Sequence, residues 1–268
     1  MTTKQKTFAS IAVLATAMFA LSLASSADAQ LVSELGILDL DANGGINPAT
    51  GFAWEAGDQY RLTFVTSTTR DATSTDINVY NDFVQGVAGS STTFSNLGDA
   101  TWKVIGSTEA VNARVNTGTT GTGGVSTFLM DGATLFATDN GDLWNGTANE
   151  GGGVFAAPDL DENGSFLSAQ VFTGTTGGGA TVADRWFGTT TISNGQLRVT
   201  RGLTQPNNPN RWMQQFNNNP NSSLSFYALS DPLTVQAAPV PEPASIAIWS
   251  LLGLGLAGFG YYRVRRKK

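Results

Sequence analysis

The chain has 268 residues, a formal net charge of −6, 31 glycines, and neither histidine nor cysteine. Those two absences remove disulfides, thiolate nucleophiles, any Ser-His-Asp arrangement and the usual ligands of catalytic zinc. Charge is unevenly spread: residues 30–239 hold 8 Arg/Lys against 19 Asp/Glu, a net of −11, which repels nucleic acid and anionic lipid.

In chain order, Lys4 and Lys6 precede an apolar run from Phe8 to Ala24, followed by Ala27-Asp28-Ala29. A cationic start, an apolar middle and an A-x-A box define a secretory signal peptide over 1–29, handled by the Sec machinery and signal peptidase. Gln30 is then the first mature residue of an extracytoplasmic domain predicted over 30–236. Leu31 to Leu40 is apolar and runs into the turn residues Asn43-Gly44-Gly45. Tyr60, Leu62 and Phe64 alternate as one face of a strand. Ser74-Thr75-Asp76 offers a helix start, and Ile77, Tyr80, Val84 and Val87 follow at helical spacing. Gly89 stands where a C′ residue ends a helix, so the spacing predicts a helix over 75–88.

Trp102 to Ile105 reads as a strand. Residues 125–130 and 134–138 flank Asp131-Gly132 as a hairpin. A strand is predicted around Phe166 to Phe172, an Asn/Pro-rich surface loop over 205–223, and final strands at Leu224–Leu229 and Leu233–Val235. Strands dominate, with one main helix, and composition alone suggests an all-β sandwich, a reading kept as the alternative to the α+β class implied by a resemblance given below.

Ala237 to Pro243 forms a linker ending in Pro241-Glu242-Pro243. The next 19 residues, Ala244 to Tyr262, carry no charge. As a helix at ~1.5 Å per residue they match the ~30 Å hydrocarbon layer, so a transmembrane helix is expected over 244–262. Trp249 and Tyr261-Tyr262 suit the two headgroup levels. Arg263, Arg265, Arg266, Lys267 and Lys268 hold a basic tail, 263–268, on the cytoplasmic side.

Val240-Pro-Glu-Pro-Ala244, the apolar Gly/Leu-rich span and the Arg/Lys terminus together resemble the PEP-CTERM sorting tail of exported bacterial proteins. The same tail is also labelled the ice-binding protein C-terminal domain. The resemblance implies recognition of Pro241, Glu242 and Pro243 by an exosortase-type membrane transpeptidase, with the tail removed near that motif. A second similarity spans roughly 60–230. It rests on Leu62-Thr-Phe-Val-Thr-Ser67, the helix, Trp102-Lys-Val104, Leu129-Met-Asp-Gly132, Asp142-Leu-Trp-Asn-Gly-Thr147, Asp161-Glu-Asn-Gly164 and Arg185-Trp186. Those pieces are similar to endostatin-like exported bacterial domains, which implies a C-type lectin-like α+β fold.

Three constellations could carry an activity. Asp159-x-Asp161-x-Asn163-Gly164 is echoed by Asp39-x-Asp41-x-Asn43-Gly44, and alternate oxygen ligands before a glycine can wrap calcium. The twelfth position would be Gln170 or Thr50 in place of a bidentate Glu, so an Asp/Asn/Gly turn joining strands is the stronger reading. Trp144 and Trp212 are candidate sugar-stacking rings, against core packing, with Trp212 in the Asn/Pro loop expected to be exposed. Nineteen acids make some close carboxylate pair inevitable, which gives a secreted glycoside hydrolase little support. The expectation is a non-enzymatic cell-surface or extracellular-matrix protein associated with exopolysaccharide. A calcium-dependent lectin-like binder is the alternative.

Overall fold

The structure, a computed structural model, describes residues 30–145, 158–193, 195–204, 211–238, 249 and 251–256. The expected signal peptide over 1–29 therefore lies outside the described residues. Residues 31–236 form one compact unit.

The unit is built on two neighbouring antiparallel strands, β2 (Gln59–Val65) and β11 (Ser225–Ser230), paired Thr63 to Leu229 and Val65 to Tyr227. The pairing continues into β12 (Leu233–Ala237), where Leu233 stands opposite Tyr60. Four residues on this side thus pass three on β2, which is a bulge. Pro232 sits in that bulge, where its missing N–H costs no ladder bond. β1 (Leu31–Ser33) lies outside β12.

The other edge of β2 takes β4 (Ser126–Leu129) in parallel, and β4 returns through Asp131-Gly132 to antiparallel β5 (Leu135–Ala137). Asp131 Oδ1 accepts from the N–H groups of Ala133 and Thr134, and Gly132 has φ 72°, so the expected turn chemistry forms this hairpin. The other edge of β11 takes β3 (Trp102–Val104) antiparallel and β6 (Gln170–Phe172) parallel. Strands β9 (Val199–Leu203) and β10 (Phe216–Asn218) extend the sheet beyond β6. A two-stranded ribbon, β7 (Ile192–Ser193) and β8 (Gln196–Leu197), completes the set.

The main helix, α1, runs Asn78–Gly89, three residues later at its start than the spacing predicts. Ser74, Thr75 and Asp76 instead form a local turn, in which Asp76 Oδ1 accepts from the N–H of Asn78. Ile77, Tyr80, Val84 and Val87 are buried as their spacing requires. Two four-residue helices, α2 (Ala113–Asn116) and α3 (Asn140–Leu143), are started by Asn112 and Asp139, whose side chains accept from N–H groups of the first turn.

Both faces of the central strands are buried. Tyr60, Leu62 and Phe64 of β2, Phe226 and Ala228 of β11, and Trp102 and Val104 of β3 face α1 in a first core. Val65, Tyr227, Leu229 and Val171 face a second core with Phe136, Trp144, Trp212 and Met213. Phe226 packs against Tyr80, Phe83, Phe172 and Phe187, with ring centroids 5.4 to 6.0 Å apart. Trp212 packs against Phe136 at 5.1 Å and Tyr227 at 5.5 Å. Its burial overturns the expected surface loop over its part of 205–223. The 212–213 backbone lies flat against β9, where Gly202 has no side chain to hold it away.

A Cβ at Gly202 would stand 1.6 Å from the Trp212 carbonyl oxygen, contact that only backbone movement relieves. Gly202→Ala is therefore expected to lower unfolding free energy by ~3 kcal/mol, at the severe end of overpacking. Urea denaturation checks this, and a loss below 1 kcal/mol would mean that the 212–213 segment does not rest on β9.

Candidate functional site

The sorting elements fall almost wholly outside the described residues: Pro241, Glu242 and Pro243, most of the expected span 244–262, and Arg263, Arg265, Arg266, Lys267 and Lys268. The described part, Trp249 and Leu251–Leu256, is helical and exposed. Among the described residues no helix is long and apolar enough to cross a membrane.

The two acidic turns do different things. In the first, Asp39 Oδ1 accepts from the N–H groups of Asp41 and Ala42. Asn43, Gly44 and Gly45 all take positive φ, and the turn is solvated. In the second, Asp161 Oδ1 accepts from the N–H of Asn163 and of Ser165, both at 2.9 Å, closing the turn on itself. Asn163 Oδ1 accepts from the Thr92 N–H at 2.8 Å and the Thr92 hydroxyl at 3.1 Å. Buried Glu162 accepts from the Ser67 N–H at 3.0 Å and from the Ser67 hydroxyl. This turn thus latches the segment after α1 to the end of β2, spending its oxygens on protein donors. Among the described residues no three acidic side chains converge where they could hold a metal ion.

Asp159 is 9% exposed and stands on the second-core side, near the Tyr227 hydroxyl, a sealed group without a hydrogen-bond partner among the described residues. Burial, reinforced by the charge of Asp131, raises the Asp159 carboxyl above the ordinary aspartate range.

Neither candidate tryptophan offers a ring face. Trp144 is 2% exposed, donates its indole N–H to Thr119 Oγ1 at 2.8 Å, and lies under the Arg114 guanidinium. Trp212 is fully buried. The signal for an exposed Trp212 was its Asn/Pro neighbourhood, but neighbouring residues do not set the burial of a ring this large. Trp102 is a core residue and Trp186 is half-buried.

A site that sequence reasoning missed opens at the start of β2 and β4. Asn47, Ala49, Thr50, Asp58, Gln59, Gly124, Ser126, Thr138 and Asp139 line a cleft of about 400 Å³. Parallel pairing brings Gln59 and Ser126 together, the hairpin return brings Thr138, and Asp139 arrives as the start of α3. Nothing in the sequence spacing joins these four segments. A second cleft of about 420 Å³ lies along β10, lined by Asn217, Asn218, Asn219, Gln196 and Arg198.

A family model described as the PEP-CTERM protein-sorting motif matches residues 239–267. The chain carries a PEP-CTERM sorting motif. The motif marks an exported protein recognised by an exosortase-type system and processed at the cell envelope. The match covers the tail alone, and no curated protein matches the chain.

The raised Asp159 carboxyl has a stability consequence. A carboxyl with a higher pKa folded than unfolded contributes stability below its unfolded value, about 3.9, and loses it as pH rises through the folded value. Asp159→Asn removes that loss, so the variant is expected to melt higher than the parent at pH 7, with the gap closing toward pH 3.5. Thermal melts across that range check it; a variant equally or less stable at pH 7 would show that the carboxylate is well accommodated.

Proposed function

We propose that the protein is a non-enzymatic component of the cell surface or extracellular matrix that contacts exopolysaccharide after an exosortase-type system has processed its tail. The observation carrying this reading is the sorting motif over 239–267, preceded by a compact acidic unit over 31–236. A net charge of −11 over residues 30–239 suits solubility outside the cell. The missing histidine and cysteine remove the commonest general base and the strongest nucleophile from any reaction scheme. Export of the 30–236 domain, and retention of the precursor by the 244–262 span until cleavage, belong to the same reading.

Replacing Pro241-Glu242-Pro243 by three alanines tests the sorting half. The full-length precursor is expected to accumulate in the membrane fraction, with loss of the released form by at least ~90% on immunoblots. Release at the parental level would exclude recognition through this motif.

A further inference from the structure

The cleft between the Asn47 turn and the starts of β2, β4 and α3 combines features that the fold alone does not require. Asn47 and Ser126 are each 4% exposed, yet both line the opening. Asn47 Oδ1 accepts from the Ala49 N–H, leaving Nδ2 without a partner among the described residues; the Ser126 hydroxyl has none either. Neither atom is sealed from solvent, so two otherwise buried side chains each turn an uncommitted polar atom to the cleft, where a polar ligand or water can meet it. Asp58 Oδ2 accepts from the Glu55 N–H at 2.9 Å, and Asp139 Oδ1 accepts from the Asp142 N–H at 2.8 Å. Among the described residues, each carboxylate keeps its second oxygen free of protein donors.

The opening therefore presents two carboxylate acceptors, an amide donor, a hydroxyl that does both, and the exposed amide of Gln59. Among the described residues no lysine or arginine lines it, so an anionic ligand would meet the repulsion of two carboxylates. The same turn carries Phe52, 76% exposed and held by its N–H to Thr50 Oγ1. Hydroxyl groups both donate and accept, so a polyol satisfies a mixed set of this kind, and an exposed ring supplies an apolar face beside it. We propose that this cleft is a subsite for an uncharged saccharide unit, with Asp58 and Asp139 accepting from sugar hydroxyls, Asn47 donating to one, and Phe52 covering a ring face. The inference rests on the polysaccharide reading above and adds the site and the charge class of the glycan.

The test uses the protein purified from its exporting host, titrated calorimetrically with neutral hexasaccharides of glucose, galactose, mannose and N-acetylglucosamine and with a polyuronate hexasaccharide. Asp58→Asn and Asp139→Asn each keep the oxygen that holds the local turn, and asparagine remains a good helix start. Either substitution is expected to weaken binding of the preferred neutral hexasaccharide about tenfold or more, the size of one hydrogen bond to a charged group. Phe52→Ala is expected to weaken it several-fold, and melting temperatures of all three variants are expected to match the parent. Preference for the polyuronate, binding indifferent to all three substitutions, or calcium binding lost in Asp139→Asn without any glycan response would each overturn the proposal. A pull-down with the host's own polysaccharide separates the two levels. Parental protein that fails to bind it removes the broader reading, whereas binding retained by Asp139→Asn removes only the cleft.

Discussion

Everything in the domain depends on β11 being buried on both faces. Phe226 and Tyr227 are adjacent residues that point to opposite sides of the sheet, one into each core. Through its two edges the same strand pairs with β2, β3 and β6, which come from widely separated parts of the chain. A strand with two buried faces cannot slip by one residue without exchanging both sets of side chains, so the register is fixed from both sides. β11 and β12 are also the last elements before the tail. The second core cannot close until the chain through Leu229 is in place, nor the first until Val235 is, a topology dominated by non-local contacts.

The protein achieves this without a single disulfide. Its long loops are held by short hydroxyl and amide side chains. Thr173 Oγ1 donates to the Met213 carbonyl at 2.6 Å, and the Ser107 and Thr175 hydroxyls meet at 2.7 Å, all of them buried. Arg61, on the face of β2 opposite Tyr60 and Leu62, is buried and donates to the carbonyls of Ser230 and Thr117. Desolvation lowers its pKa, offset in part by Asp231. Polar bonds of this kind contribute modestly one by one, but leaving any of them unmade inside the domain would be costly.

The local signals in the sequence were reliable where one segment determines its own shape. The alternation at 60–64, the helical spacing from Ile77 to Val87 and the Asp131-Gly132 turn each specify a conformation from neighbours alone, and each forms. What escaped was burial decided by distant partners. Alternation marks one face of β2 as apolar but does not reveal that a second core covers Arg61 and Thr63. The Asn/Pro composition around Trp212 reads as solvent, while Phe136 and Trp144, far away in sequence, bury the ring. The Asp161–Asn163 stretch reads more readily as a turn than as a calcium loop, but its role as a latch on Ser67 and Thr92 is visible only in three dimensions. The cleft at Asn47 is illegible for the same reason: four segments supply it, and only the β2–β4 pairing assembles them.

A self-contained acidic domain and a sorting tail make a precursor in which folding and delivery are separate tasks. The measurement that bears on this most directly is the intact mass of the protein recovered from its exporting cell. Cleavage at both ends predicts a chain beginning at Gln30 and ending near Pro241–Pro243. A mass corresponding to all 268 residues, recovered from the cell exterior, would contradict it.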